Sequence, residues 1–205
     1  MDGSQQSHYT GFAGVRCIAA GELSHVALKL KDVFNQRDPS GLSIFDDRTG
    51  ELVHVDFRGT VDDVLSRLPD SAAAPAPGGA EPEAEAPRRP GRPKLGVVAR
   101  EVTLLPRHWE WLNSQPGGAS VALRKLVEEA RRANATRDQL RQARDAAYRF
   151  TTAMAGNEPG YEEAMRALFA GDQNRFNELA GLWPVDVGTY AKGLAAAAFG
   201  GTSPA

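Results

Sequence analysis

The sequence predicts an α+β fold in three parts: a small β-α-β-β-α module at residues 8–69, a disordered Pro/Ala linker at 70–95, and a mainly α-helical domain with one ribbon-like strand at 96–200. Short strand-like runs and helix-spaced apolar residues alternate before residue 69. Alanine, proline, glycine and glutamate dominate the linker, and helical spacing of apolar residues prevails after it. A chain of 205 residues has room for two small folded parts of this kind.

Five segments make up the predicted N-terminal module. The run at 12–20 is strand-like, and Ser24 is placed to cap a helix with one apolar face. Two further strands are expected at 42–45 and 52–57, joined by an Asp-Asp-Arg-Thr-Gly turn. Thr60 then has the position of an N-cap for a short helix with a carboxylate in its first turn. These segments give the order β-α-β-β-α.

Residues 69–87 contain no large apolar side chain, and the three glutamates of this stretch, Glu81, Glu83 and Glu85, repel one another. Such a segment buries too little apolar surface to offset the entropy that it loses on ordering. We therefore expect disorder across the linker, including its basic C-terminal end.

The helical domain is expected to begin with a strand–helix–helix unit at 97–133. A strand-like run at 97–105 precedes a short helix at 107–114, and a Pro-Gly-Gly break follows that helix. Ser120 is placed to cap the second helix. The apolar residues of this helix fall at i, i+3, i+4 and i+7, at Leu123, Leu126, Val127 and Ala130.

Further helices are expected beyond this unit. Thr136 and Gln139 have the spacing of a capping box and predict a helix that runs through Met154. Glycine, aspartate and proline breaks then separate three shorter helices, at 161–169, 173–182 and 186–198.

Positive charge is concentrated in one part of the chain. Residues 88–149 carry fourteen Lys/Arg against six carboxylates, a local balance of +8, while the remaining residues carry ten against twenty. The net charge of −2 hides this separation. A segregated basic stretch is typical of a surface that binds a polyanion. The candidate DNA contacts are Arg88, Arg89, Arg92, Lys94, Arg100, Arg107, Arg124 and Lys125.

The strand–helix–helix unit resembles the ribbon-helix-helix family. The Val-Thr-Leu-Leu-Pro run, the short helix, the glycine turn and the apolar stripe after Ser120 carry this resemblance. It implies a homodimer whose paired strands enter the major groove of double-stranded DNA, while amides at the start of the second helix hold a phosphate. In the register usual for that family, Arg100, Val102 and Leu104 face the groove, and the two apolar side chains read bases poorly. The opposite register exposes Glu101 and Thr103, and a carboxylate near phosphate is repelled. The same pattern also fits a strand and two core helices within one chain.

The peptide Arg88-Arg-Pro-Gly-Arg-Pro-Lys94 is similar to an AT-hook. In that family an arginine beside the central glycine lies in the narrow minor groove of A·T tracts. Pro90 stands where the family usually has an arginine directly before the glycine. The resemblance therefore implies phosphate contacts and at most a mild A·T preference through Arg92.

Across its full length the chain is also similar to an uncharacterised bacterial family classed as a domain of unknown function, of the twenty-two thirty-nine type. Residues 91–112 and 164–176 carry this resemblance. The resemblance brings no activity with it.

The sequence contains no catalytic or metal-binding pattern. Its four histidines show no ligand spacing with carboxylates or with Cys17, which we expect to be a small buried residue in a strand. Phosphate-loop, dinucleotide-binding and nucleophile-elbow motifs are missing. We therefore predict no enzyme activity, cofactor, metal or small-molecule ligand. The polar first ten residues and the lack of a long apolar run predict a cytoplasmic bacterial protein with no membrane contact.

These observations predict a dimeric DNA-binding or regulatory protein that contacts mainly phosphates. In this interpretation the N-terminal module is a sensor or partner-binding unit. The alternative is a protein-interaction module with no nucleic-acid role, in which the helices from Thr136 onward bind a partner. A steep dependence of DNA binding on salt concentration distinguishes the first function from the second.

Overall fold

The structure is a computed structural model that describes residues 8–36, 41–68, 98 and 100–200. It confirms the α+β class, with a small antiparallel sheet near the N-terminus and a mostly helical C-terminal region. The chain divides into two compact units. The first unit contains residues 1–74 and 135–205, and the second contains residues 75–134. This division differs from the predicted one, because the sheet and the C-terminal helices belong to the same unit. The linker predicted at 70–95 lies outside the described residues.

The sheet of the first unit has four strands in the order β2-β1-β3-β4, and all neighbours are antiparallel. The strands are β1 (Tyr9–Ala13), β2 (Arg16–Gly21), β3 (Leu42–Asp46) and β4 (Leu52–Val53). The single strand predicted at 12–20 is wrong, because the chain reverses after Ala13 and forms a hairpin. Gly14 has a φ of 58°, a conformation that L side chains seldom adopt and that a tight turn requires. The element order is therefore β-β-α-β-β-α.

One face of the sheet packs on two helices, α1 (Leu23–Gln36) and α2 (Val61–Ser66). Val26 and Leu30 of α1 are fully buried in this small core together with Ile44 of β3. Successive residues of a strand point to opposite faces, so Phe45 faces the other side of the sheet. The apolar spacing that predicted α1 is confirmed, and the predicted strand at 52–57 shortens to the two residues of β4.

The opposite face of the sheet packs on the C-terminal helices of the same unit. Phe12 and Phe45 join a core with Phe150 and with Phe176, and all four rings are at most 1% exposed. The helices that supply the core follow one another closely along the chain. They are residues 135–155 of α4 (Gly118–Ala155), α5 (Tyr161–Ala170), α6 (Gln173–Ala180) and α7 (Val185–Ala196), with a short 3₁₀ turn at Ala197–Phe199.

The predicted start of a new helix at Thr136 is wrong, because α4 runs without interruption from Gly118 to Ala155. The residues before Thr136 are Ala-Arg-Arg-Ala-Asn-Ala, which include good helix formers and no glycine or proline. A capping pair begins a helix only where the preceding backbone leaves the helical conformation. The three shorter helices predicted after residue 160 are confirmed to within about two residues at their ends.

Replacement of Thr60 by Ala is expected to lower the free energy of unfolding by about 1 kcal/mol. The Thr60 Oγ1 accepts a hydrogen bond from the Asp63 amide at 3.2 Å, and the Asp63 Oδ2 accepts one from the Thr60 amide at 2.8 Å. Thr60→Ser keeps the hydroxyl and should retain most of this stability. Urea unfolding of both variants, followed by circular dichroism, checks the difference, and equal losses would contradict the capping role.

Candidate nucleic-acid surface

The described part of the second unit consists of Val98, residues 100–105, helix α3 (Pro106–Ser114) and the start of α4. Pro106 occupies the first turn of α3, where its missing N–H removes no hydrogen bond. The strand predicted at 97–105 is not formed by Val98 or by residues 100–105. A strand needs a partner that pairs its backbone groups, and in the ribbon-helix-helix family that partner is a second chain.

Four of the eight predicted contact residues lie outside the described residues, namely Arg88, Arg89, Arg92 and Lys94. The other four are all exposed. Arg100 precedes α3, Arg107 lies in its first turn, and Arg124 and Lys125 lie in the second turn of α4. The Arg124 Nε donates to the Ser120 carbonyl at 3.1 Å, which holds the side chain along the helix.

Ion pairs along α4 neutralise part of the basic stretch. Glu128 Oε1 accepts hydrogen bonds from both Arg131 and Arg132, each at 3.1 Å. The bond from Arg131 is the main reason why the pKa of Glu128 lies below its usual range. No ion pair between described residues involves the four described candidates: Arg100, Arg107, Arg124 or Lys125. These four exposed cations are therefore the ones that this part of the surface can offer to an anion.

The apolar stripe that predicted the second helix is largely exposed. Leu126 is 43% exposed and Val127 is 64% exposed, although the spacing of the stripe predicted that they form the apolar side of the helix. Among the described residues of the second unit, only Leu112 and Ala122 are buried apolar residues. So small a core stabilises an isolated unit poorly. We refer to the exposed large apolar side chains of this unit, taken together, as the apolar face. The apolar face consists of Val98, Val102, Leu105, Trp109, Trp111, Leu126 and Val127.

Both tryptophans of α3 are exposed, and because they lie two residues apart on a helix they point in different directions. Trp109 is 37% exposed and Trp111 is 51% exposed, so neither ring fills the core. Leu112 takes the buried position of α3 instead. Large exposed apolar rings close to basic residues are common at interfaces, where they bury much area on binding.

A second group of polar residues, which lies in the first unit, was not predicted from the sequence. Asp47 follows β3, and its Oδ1 accepts a hydrogen bond from the Tyr190 hydroxyl at 2.5 Å. Its Oδ2 lies 2.5 Å from the His8 Nδ1. Burial, followed by the bond to Asp47, raises the pKa of Tyr190, so the phenol stays protonated and acts as the donor. These three residues are far apart in sequence, and the only local signal was the Asp-Asp pair in the turn.

The exposure of Cys17 also differs from the prediction. Cys17 lies on the edge strand β2 and is exposed, although the sequence indicated a buried position. Its backbone amide donates to the Asp186 Oδ2 at 2.9 Å. Partial burial of the thiol, together with Asp186 and Asp47, raises the pKa of Cys17 and disfavours the reactive thiolate.

A family model described as an uncharacterised protein conserved in bacteria, DUF2239, matches residues 8–195. The chain belongs to the DUF2239 family. The match covers the described residues of both units up to residue 195, including the apolar face and the Asp47 group. Neither a curated protein nor a solved structure matches this DUF2239 chain.

Two further properties of the DUF2239 chain bear on its chemistry. Within residues 8–36, 41–68, 98 and 100–200, no three His, Cys, Asp or Glu side chains come together in a group that holds a metal ion. No helix in the same ranges is both long enough and apolar enough to cross a membrane.

Proposed function

We propose that this protein binds duplex DNA as a homodimer, mainly through phosphate contacts, and acts as a DNA-binding or regulatory protein. The observation that carries the proposal is the coincidence of excess positive charge and an uncovered apolar face in the second unit. One feature supplies attraction to a polyanion, and the other supplies the surface that two chains share.

The charge supports phosphate binding in two ways. Residues 88–149 have the local balance of +8, so DNA meets a positive field along this stretch. Within residues 100–134, six Lys/Arg stand against four carboxylates, and Glu128 already engages two of the six. The exposed cations then pair with phosphates and release the counterions that surround DNA.

The apolar face supports a homodimer. Seven large apolar side chains of the second unit are exposed, while the described part of that unit buries only two. In the ribbon-helix-helix arrangement, a second copy pairs the strand at 97–105 and covers the apolar side of the second helix. Pairing of this kind satisfies the backbone groups of residues 100–105 and removes the apolar face from water.

The side chains before α3 favour phosphate contact over base readout. Val102 and Leu104 offer apolar contact to thymine methyl groups, and neither donates nor accepts a hydrogen bond. Arg100 is the side chain of this group that carries a donor set suited to guanine or phosphate. Affinity should consequently depend little on DNA sequence.

DNA binding should weaken steeply as salt concentration rises. Replacement of Arg100, Arg107, Arg124 and Lys125 by Ala in one variant should weaken binding at low salt. Each lost phosphate contact lowers the slope of log K against log salt by about 0.9, so four lost contacts lower it by up to about 3.6. Fluorescence anisotropy of a labelled duplex at several salt concentrations measures the slope.

A matched variant controls for net charge. Arg16, Lys29, Arg166 and Arg175 are four exposed cations of the first unit, and their replacement by Ala removes the same charge outside the basic stretch. This control should keep the salt slope of the unmodified protein. Equal slopes for the two variants would contradict the assignment of DNA contacts to the second unit. A third variant, with Arg88, Arg89, Arg92 and Lys94 replaced by Ala, measures the share of the AT-hook-like peptide.

The second candidate function is a protein-interaction module without a nucleic-acid role. It is favoured by exposed apolar side chains on the helical side of the first unit, where Leu182 is 67% exposed and Val185 is 81% exposed. These two residues flank the break between α6 and α7, within the helices assigned to partner binding. Absence of DNA binding at low salt would place this function first.

A further inference from the structure

We propose that the first unit binds a small zwitterion of the amino-acid type, with its ammonium group at Asp47, its carboxylate at Arg48 and an apolar body against α4 and α7. The site is an open cavity of about 530 Å³ lined by the turn after β3, by these two helices and by Ala197. All of its lining residues belong to the first unit. The proposal does not rest on DNA binding by the second unit.

The cavity has the size and lining of a small-ligand site. Its volume lies within the range of roughly 300–1,000 Å³ found for such sites, and most of its wall is apolar. Alanine and leucine side chains of α4 and α7 form that wall. Six of the eleven lining residues have polar side chains: Asp47, Arg48, Gln139, Gln142, Thr189 and Tyr190. An apolar wall with a few polar groups binds a compact organic molecule in one orientation.

Asp47 is held in place from several directions. Its carboxylate accepts from Tyr190 and lies beside His8, and its backbone amide donates to the His8 carbonyl at 2.9 Å. The preceding Asp46 accepts from the amides of Arg48 and Thr49 at 2.8 and 2.9 Å, which fixes the turn. A carboxylate positioned in this way needs little rearrangement to bind a ligand.

The negative charge of Asp47 favours a ligand that carries a cationic group. Its side chain is 24% exposed, and its donor Tyr190 is neutral because burial and the bond to Asp47 raise the pKa of the phenol. No described Lys or Arg forms an ion pair with Asp47, and His8 carries charge only when it is protonated. A partly buried carboxylate is stabilised by a charged N–H donor, and an ammonium group supplies up to three donors.

The next residue in the turn supplies the opposite charge. Arg48 lines the same cavity, and the planar set of donors of a guanidinium matches a carboxylate. A ligand with only a positive charge would meet repulsion from Arg48, and one with only a negative charge would meet repulsion from Asp47. A zwitterion satisfies both side chains at once, and the alanine and leucine wall favours an apolar body.

Three related probes test both charges on the full-length protein, without DNA. L-Leucine carries both charges, 3-methylbutylamine lacks the carboxylate, and 4-methylpentanoate lacks the ammonium group. Isothermal titration calorimetry at neutral pH and low salt should show L-leucine binding more tightly than either analogue, by about tenfold, since a hydrogen bond to a charged group is among the stronger polar contacts.

Variants locate the site. Asp47→Asn keeps an oxygen that can accept from Tyr190 and should weaken L-leucine binding by about tenfold, whereas Glu51→Gln, outside the cavity lining, should change it less than about twofold. Gly193→Leu adds a side chain at the cavity wall where a Cβ atom meets open space, so it should block binding while the protein remains folded by circular dichroism.

Each result of these titrations either supports or overturns the proposed ligand site. Binding of L-leucine that Asp47→Asn and Gly193→Leu both weaken supports the site. The proposal is overturned if the intact protein binds no probe at millimolar concentration, if either analogue binds as tightly as L-leucine, or if a folded Gly193→Leu variant binds normally. Because the titrations contain no DNA, failure of the ligand site is independent of failure of DNA binding.

Discussion

Replacement of Phe150 by Ala is expected to lower the free energy of unfolding by about 3–5 kcal/mol. Phe150 is fully buried, and its ring centroid lies 4.9 Å from Phe45, 5.6 Å from Phe12 and 4.5 Å from Tyr190. The side chain therefore joins the sheet to α4 and α7 within the first unit. Loss of the ring removes buried apolar area and leaves a cavity among residues of three elements. Urea unfolding followed by circular dichroism measures the change.

Phe169→Ala is the matched control for this substitution. Phe169 is 51% exposed and contacts Tyr148 near the surface, so its loss should cost a small fraction of the loss at Phe150. A loss of unfolding free energy below about 1 kcal/mol for Phe150→Ala would contradict the core that the sheet shares with α4 and α7. Removal of a buried aromatic ring ordinarily costs several times more.

Replacement of Gly50 by Ala is expected to lower the free energy of unfolding by about 3 kcal/mol. Gly50 has a φ of 67°, and an added Cβ atom would lie 2.1 Å from the carbonyl oxygen of Ala146. The turn after β3 would have to move away from α4, because the obstructing atom is backbone and cannot rotate aside. The same displacement would disturb Asp47 and the cavity beside it.

Gly14→Ala separates the two causes of the stability loss expected for Gly50→Ala, which are backbone strain at a positive φ and the steric clash with Ala146. Gly14 has a φ of 58°, similar to that of Gly50, but an added Cβ atom meets nothing within 4 Å. This variant should therefore lose only the conformational part, about 1 kcal/mol. Thermal or urea unfolding of the two variants under one set of conditions makes the comparison. Equal losses would show that the close approach of the turn to Ala146 has no energetic consequence.

Features that depend on neighbouring residues were predictable from sequence. The Thr60–Asp63 capping pair, the apolar face of α1 and the helices after residue 160 all follow from spacing within a few residues. Asp46 also follows the local rule for turns, because its carboxylate accepts from two backbone amides of its own turn.

Features that depend on distant parts of the chain were missed. The hairpin at Gly14 divides a run that looks like one strand, and its turn is stable because β1 pairs with both β2 and β3. The helical spacing of Leu126 and Val127 correctly predicted a helix, but periodicity does not reveal whether a partner covers the apolar side. The first unit joins segments that lie on either side of residues 75–134, and no local pattern indicates such packing.

The candidate sites show the same difference between features that depend on neighbouring residues and features that depend on the tertiary fold. Exposed cations at Arg107, Arg124 and Lys125 could be named from local charge, because long charged side chains seldom lie inside a protein. The hydrogen bond between Asp47 and Tyr190 spans most of the chain, and only the tertiary fold brings the two residues together. The cavity beside Asp47 could therefore not be predicted from the amino-acid composition alone.

Sedimentation velocity of the intact protein with a labelled DNA duplex at low salt tests the proposed function most directly. We expect the free protein to sediment as a dimer and the DNA to sediment in a complex with two copies of the chain. Addition of salt should release the DNA, because its affinity rests on phosphate contacts. A monomeric protein with DNA that sediments freely at low salt would contradict both the shared apolar face and the DNA-binding role of the second unit.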